Sequence, residues 1–322
     1  LALVFPEHLT NTRTISLPVK SKKKAEQLIP FQIEDSLPTP LSETHYTSSI
    51  TVNKDSCDAF VSIVKKSDFD TTINKYSHLT IPLAHVTSMG SLLSNYFHLN
   101  KMLGNYCVID VGHSSTKVYL FKKGNLVQLH KSFCAGKMMT QAIAEFYKIS
   151  FSEAQNYKHQ SAFFLTDSQY AMVNSDQKVF GNLMSETMNH LINDIKRWLI
   201  GYKLESAENI DQVFITGGGS LIKNFHPYLA EKIGKQVSDL HFPSDNVLNN
   251  KEETLYFSTY LTGLLFPQKR TLLNYLIGNY SPASDDDIPL HSMAFIGVRL
   301  ALLTSLIIFA IMGERYFINK NI

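Results

Sequence analysis

Short apolar runs and helically spaced apolar positions divide the chain into elements. Runs over 1–5, 13–17, 46–52, 59–65, 79–86, 107–111, 118–121, 126–133 and 212–216 predict strands, since short apolar or alternating stretches fit a pleated sheet. Helical spacing appears over 21–37, where Ala25, Leu28, Ile29 and Ile33 share a face and Pro30 is expected to kink or divide the helix. It returns over 67–78, over 88–99 with Met89, Leu92, Leu93 and Phe97, over 137–147 with Met138, Ala142 and Phe146, and over 152–157 with Ser152 as its cap. The clearest long helix covers 180–202: Met184, Met188, Leu191, Ile192, Ile195 and Leu199 recur on one face, and Gly201 marks its end. A last helix is expected over 221–233. Strands interleaved with helices define an α/β class.

Two turns stand out in this pattern. Between the runs 107–111 and 118–121 lie Gly112, His113, Ser114, Ser115 and Thr116, a polar turn with Asp110 just before it. Two readings fit: an ordinary β-hairpin with an Asp near its turn, or a turn that offers backbone N–H groups and hydroxyls to an anion. In the second reading Asp110 could hold a hydrated Mg²⁺. The other turn, Gly217, Gly218, Gly219 and Ser220, follows the buried strand 212–216 and leads to a helix. Such a turn can cradle a phosphate or lie against a nucleoside. It matches neither G-x-x-x-x-G-K-[ST] nor G-x-G-x-x-G, because Ile222 stands where the last Gly of the second motif belongs.

Composition narrows the function more than the fold. The 322 residues are 44% hydrophobic and 18% charged, enough apolar surface for two lobes or domains. A net charge of +2 and the lack of a basic, aromatic-interleaved stripe argue against nucleic acid. The run Lys22-Lys23-Lys24 reads as the solvated start of a helix. Cys57, Cys107 and Cys134 form no metal or disulfide framework and read as buried thiols. No histidine pair has ligand spacing, and Ser114, Ser115 and Thr116 lack the partners of a hydrolase nucleophile. Residues 292–313 carry one charge, Arg299, and 300–313 carry none, which predicts a membrane span after a linker over 268–291. Lys269, Arg270 and Arg299 before the uncharged stretch outnumber Arg315 and Lys320 after it, placing the body in the cytoplasm.

The order of the motifs resembles a known superfamily. IDVGHSSTKVYLF resembles the second phosphate turn of the actin-like ATPases, the superfamily of sugar kinases, heat-shock chaperones and actin, and VFITGGGSLIKNF resembles their adenosine-binding turn. More narrowly, LALVFPEHLTNTRTISLP with KAEQLIPFQIEDSLPTPLSE resembles the inserted small subdomain of PilM-like pilus-assembly proteins, and FCAGKMMTQAIAEFYKISFSEAQNYK resembles a further segment of theirs. The tail from Leu273-Asn274-Tyr275-Leu276 through Tyr280-Ser281-Pro282 into an apolar stretch resembles GspL-type secretion proteins and fused PilM–PilN chains.

This resemblance implies a two-lobed actin-like (ribonuclease H-like) fold with an inserted α+β subdomain and one carboxyl-terminal membrane helix. The implied layout is 1–66 for the small subdomain, 67–105 for the rest of the first lobe, 106–267 for the second lobe, 268–291 for the linker, 292–313 for the span and 314–322 for a periplasmic start. It implies ATP and Mg²⁺ as ligands. Gly112, His113, Ser114, Ser115 and Thr116 would be at the phosphates, Gly217, Gly218, Gly219 and Ser220 at the adenosine, and Asp110 would act on Mg²⁺ through water. The chain is expected to begin after the superfamily's first phosphate turn. His85 stands where an acid is usual, His113 where a small residue is usual, and Ala135 replaces one of two glycines. A weak ATPase at most is therefore expected. The implied role is assembly at a bacterial inner membrane, in a type IV pilus or type II secretion machine. PilN/GspM-like membrane proteins, a motor ATPase, a platform protein and other copies of the chain are the expected partners. Two alternatives share the fold: a FtsA-like division protein and an ATP-dependent kinase.

Overall fold

In the computed structural model, which describes residues 1–37, 39–240, 250–265 and 273–281, the first strand is β1 (Ala2–Val4). It leads into a separate antiparallel sheet of β2 (Thr10–Leu17), β3 (Thr44–Val52) and β4 (Cys57–Lys65), with β4 in the middle. Helix α1 (Lys22–Glu34) covers one face of it, burying Ala25, Ile29 and Ile33 against Leu17, Cys57, Ala59, Val61 and Ile63. Leu28 stays 36% exposed, and the helix runs on through Pro30 rather than dividing there. The three lysines at its start are exposed. Helix α2 (Lys66–Asn74) follows, and β5 (His85–Thr87) then returns to pair in parallel with β1, Ala2 opposite His85 and Val4 opposite Thr87. The strand expected over 79–86 shrinks to these residues because Leu79 and Ile81 face solvent. Helix α3 (Met89–Leu99) buries the predicted Met89, Leu92, Leu93 and Phe97, with the Ser88 hydroxyl accepting from the Ser91 N–H at 3.2 Å as its cap.

The rest of the chain builds a five-stranded sheet. Its members are β6 (Tyr106–Val111), β7 (Thr116–Lys122), β8 (Asn125–Ser132), β9 (Gln212–Thr216) and β10 (Val237–Asp239), in the order β10-β9-β6-β7-β8. β6, β7 and β8 run antiparallel; β9 and β10 join in parallel. Between β8 and β9 come α4 (Gly136–Tyr147), α5 (Phe151–Ser161), the short α6 (Asp167–Tyr170) and α7 (Ser175–Ser206). Helix α8 (Phe225–Ile233) precedes β10, and α9 (Asn250–Leu265) comes after it. Cys107, Ile109 and Val111 of β6, Val118 and Leu120 of β7, and Val213 and Ile215 of β9 bury against Met184, Met188, Leu191, Ile195 and Leu199 of α7. Each such side chain contributes about 1.5–3 kcal/mol by leaving water.

Several local expectations change. Helix α4 turns Met139, Ile143 and Ala144 inward and leaves Met138 and Phe146 exposed, because two apolar stripes overlap in its sequence and the tighter one meets the core. The cap of α5 is Ser150 rather than Ser152, in a reciprocal box with Glu153. Helix α7 runs past Gly201, since the next residue, Tyr202, is buried and donates its hydroxyl to the Phe121 carbonyl. Helix α8 starts at Phe225, after a 3-10 turn at Gly218–Leu221.

The chain divides into two compact units, 1–277 and 278–322. In the second, the described residues form the 3-10 turn Gly278–Tyr280. Residues 292–313, expected to span a membrane, lie outside the described residues, as do most of the expected linker and all of 314–322. Among the described residues no helix is long and apolar enough to cross a membrane.

Candidate functional site: the strand-end turns and the tyrosine slot

Strand alternation fixes the first feature. With Cys107, Ile109 and Val111 inside the core, Asp110 faces the opposite side of β6 at its carboxyl end. The Gly112 N–H donates to the Ser115 carbonyl at 3.1 Å, which closes a tight turn with His113 and Ser114 exposed at its tip. Because β9 lies parallel beside β6, with Thr216 opposite Asp110, the glycine turn after β9 meets this first turn. A Cβ on Gly217 (φ +87°) would stand 2.4 Å from Asp110 Oδ1 and 2.7 Å from the Val111 carbonyl oxygen. One on Gly219 would stand 2.4 Å from Val111 Cγ1. Two turns far apart in sequence are thus locked together, and the glycines are required by that contact.

Helix α4 supports the turn from the other side. The Gly136 N–H donates to the Gly112 carbonyl at 3.0 Å and the Lys137 N–H to the His113 carbonyl at 2.7 Å. Lys158 is buried, and its ammonium donates to the Gly136 carbonyl at 2.9 Å and to the Thr140 hydroxyl at 2.8 Å; burial lowers its pKa. Among the predicted site residues, Thr116 donates its hydroxyl to the Cys134 carbonyl at 2.7 Å, and Ser220 donates its own to Gly217 at 2.8 Å. Both hydroxyls therefore hold the turns in shape. The Thr216 hydroxyl, opposite Asp110 on the ladder, is buried with no hydrogen-bond partner among the described residues.

On the face of the sheet that carries Asp110, a charged cluster reaches towards β1 and α3. Lys117 lies directly across the ladder from Asp110, its ammonium 3.4 Å from Oδ2. Behind it, Glu7 is almost fully buried. Its Oε1 accepts the Gly90 N–H at 3.2 Å, near the start of α3, and its Oε2 accepts the Tyr119 hydroxyl. Burial raises the Glu7 pKa, with Lys117, Tyr119 and the Gly90 N–H pulling it part of the way back. Burial works against the Lys117 charge, but Asp110 and Glu7 more than offset it, so the ammonium titrates above its ordinary value.

A second feature lies between the three-stranded sheet and the β5–α3 corner. There residues 273–277 run without regular secondary structure, with a tight turn from Tyr275 to Ile277. The Leu273 N–H donates to the Ser91 hydroxyl at 2.8 Å, the Tyr275 N–H to the Val86 carbonyl at 2.8 Å, and the Val86 N–H to Asn274 Oδ1 at 3.1 Å. From β3, Thr47 donates to the Asn274 carbonyl at 2.7 Å and His45 Nε2 to the Tyr275 carbonyl at 2.7 Å. Burial lowers the His45 pKa, so the ring is neutral near pH 7 with its proton on Nε2. The Tyr275 ring is fully buried against Phe5 and Phe69, at centroid distances of 5.3 and 6.0 Å, and its hydroxyl meets Ser62 at 2.6 Å.

With this geometry, residues 10–252 match the family described as type IV pilus assembly protein PilM. The chain belongs to the PilM family. The solved structure described as the PilM-PilN type IV pilus biogenesis complex superposes with a TM-score of 0.66 at 14% identity, covering 83% of this chain and 78% of that one. That similarity establishes the actin-like fold. The cell division protein FtsA of Staphylococcus epidermidis is 24% identical over 185 residues, 54% of this chain and 39% of the relative. The chain thus spans about two fifths of the length of that curated relative.

The residues of this PilM-family chain fit the phosphates of a nucleotide better than they fit its metal. At the tip, the small residues Ser114 and Ser115 leave backbone and hydroxyls within reach of an anion. A divalent ion meets an obstacle, because one oxygen of Asp110 is held by Lys117 and the other lies against Gly217. Among the described residues no group of three or more His, Cys, Asp or Glu comes together as a metal site. Lys117, Glu7, Lys158 and Tyr275 lie inside the segments that carry the resemblance, but nothing in those segments marks them as site residues. Only Lys117 has a readable signal: a hairpin turning at His113 and Ser114 puts it opposite Asp110.

Proposed function

We propose that this chain is an assembly body of a bacterial type IV pilus machine at the inner membrane. The family match carries this reading, since it runs from β2 of the inserted sheet through both glycine turns to α9. A pilus machine is favoured over a type II secretion machine because the matching family is the pilus one. The body works as a scaffold for a PilN-like membrane protein, the motor ATPase and the platform protein; the likeness to a PilM-PilN complex supports the first of these. Residues 292–313 form the membrane anchor, on the strength of their length and single charge. The slot that grips Tyr275 then ties the anchor's polypeptide to the body. Resistance of the full-length protein to carbonate extraction is the expected result, and release into the supernatant would remove the anchor from the account.

The paired turns bind ATP, with phosphates at 113–115 and the adenosine beside Gly217–Ser220. The exposed tip, His113 and Ser114, and the contact between the two glycine turns support this placement. Calorimetric titration of the full-length protein with ATP, alongside Ser114→Ala/Ser115→Ala, tests it; no heat with the parent would leave a scaffold that uses no nucleotide. A second reading, a division protein, is favoured by the similarity to FtsA. Deleting the gene separates the two: loss of surface pili with normal division supports the pilus reading, and filamentous cells that keep their pili support the division reading.

A further inference from the structure

We infer that Lys117 is the resident cation beside the strand-end turns, so that this site takes a nucleoside triphosphate without a divalent metal ion. The inference rests on the proposal that the paired turns bind ATP. Its structural basis is the position of one ammonium group. Lys117 faces Asp110 across the β6–β7 ladder at 3.4 Å, and both side chains are about a quarter exposed, so the pair is open to solvent rather than sealed in the core. Asp110 is the carboxylate from which a nucleotide-associated Mg²⁺ would be approached; its Oδ2 is already paired with Lys117, and its Oδ1 is packed against Gly217. A divalent ion at Asp110 would have to sit beside the ammonium or displace it.

Displacement is opposed from behind. Glu7, buried beneath the cluster, also attracts Lys117, and Tyr119 and Gly90 hold the Glu7 carboxyl in place. Moving the ammonium away would leave the Asp110 and Glu7 carboxyls repelling each other with no cation between them. The charge that Mg²⁺ supplies elsewhere, neutralising phosphate oxygens beside an Asp, is supplied here by an ammonium on a flexible four-carbon stem. With three donors, the ammonium can keep its pairing to Asp110 while it also reaches phosphate oxygens at the turn. An ammonium can neutralise phosphate charge but cannot polarise an attacking water as a metal does, so binding without rapid hydrolysis follows.

The test uses the full-length protein and two readouts. ATP is titrated calorimetrically in excess Mg²⁺ and again in EDTA, and Mn²⁺ uptake without nucleotide is followed by electron paramagnetic resonance. The expected result is an ATP affinity that agrees within about twofold between the two conditions, no Mn²⁺ uptake by the parent, and a Lys117→Met variant that loses about tenfold or more of its affinity in EDTA while gaining a Mn²⁺ site at Asp110. Lys117→Gln replaces Lys117→Met if thermal melting shows the latter unfolded. An affinity that collapses in EDTA for the parent, or Mn²⁺ uptake by the parent that Asp110→Asn abolishes, overturns the inference. So does a Lys117→Met variant that binds ATP in EDTA as the parent does. If ATP gives no heat in either condition, the nucleotide proposal fails, and the Mn²⁺ arm decides the role of Lys117 alone. Uptake by the variant but not the parent upholds it as the group that fills the metal position; uptake by both, or by neither, overturns it.

Discussion

Replacing Tyr275 tests whether the 273–277 segment is a structural part of the body or an incidental contact. The ring is fully buried among Phe5, Phe69 and His45. Truncating a buried aromatic to Ala costs about 3–5 kcal/mol from lost transfer and the cavity left behind. The Ser62 hydroxyl, bonded to Tyr275 at 2.6 Å, would lose its partner as well, adding about 1–2 kcal/mol. Tyr275→Phe isolates that second part, keeping the ring and removing the hydroxyl, so a loss of about 1–2 kcal/mol is expected from it alone. Urea denaturation by linear extrapolation measures both variants, and hydrogen exchange at the Tyr275 amide, bonded to the Val86 carbonyl at 2.8 Å, reports the segment directly. The account expects that amide to be protected in the parent and to exchange near the unpaired-chain rate in Tyr275→Ala. A Tyr275→Ala variant within about 1 kcal/mol of the parent, or a parent amide already exchanging freely, would refute the slot as a structural part of the body.

Three further outcomes follow from individual residues. Glu7 has a folded-state pKa above its ordinary 4.5, so the parent should lose stability as pH rises from that value through the folded pKa and level off above it. Glu7→Gln, whose amide can serve Gly90 and Tyr119 alike, should remove that slope; a parent-minus-variant difference that grows with pH would contradict the assignment. Gly217→Ala forces a Cβ to 2.4 Å from Asp110 Oδ1 and 2.7 Å from a backbone oxygen at φ +87°, and should cost about 2–4 kcal/mol by urea unfolding. Gly201→Ala should do the reverse, because Gly201 lies inside α7 with nothing within 4 Å of the new Cβ. A gain of about 0.5–1 kcal/mol is expected in the same assay.

The strands and long helices were legible because their apolar periods match their burial: all six predicted positions of α7 are buried. Faces and ends were less so. In α4 two stripes compete, and only the approach of the sheet chooses Met139 and Ile143 over Met138 and Phe146. Gly201 read as a stop, yet the burial of Tyr202 carries the helix one turn further. The glycine turns were found as turns, but that they touch each other depends on the parallel pairing of β6 with β9, a long-range fact. Lys117 could have been placed opposite Asp110 from the hairpin register. Glu7 could not, because its partners Gly90 and Tyr119 come from two other elements.

The most direct test of the central claim, that this PilM-family chain serves pilus assembly, is to delete its gene in the source bacterium and count surface pili by electron microscopy while measuring cell length. The account predicts cells of normal length without pili, restored by the parent gene and poorly restored by Tyr275→Ala. Cells that keep their pili, or that grow as filaments with pili intact, would contradict it.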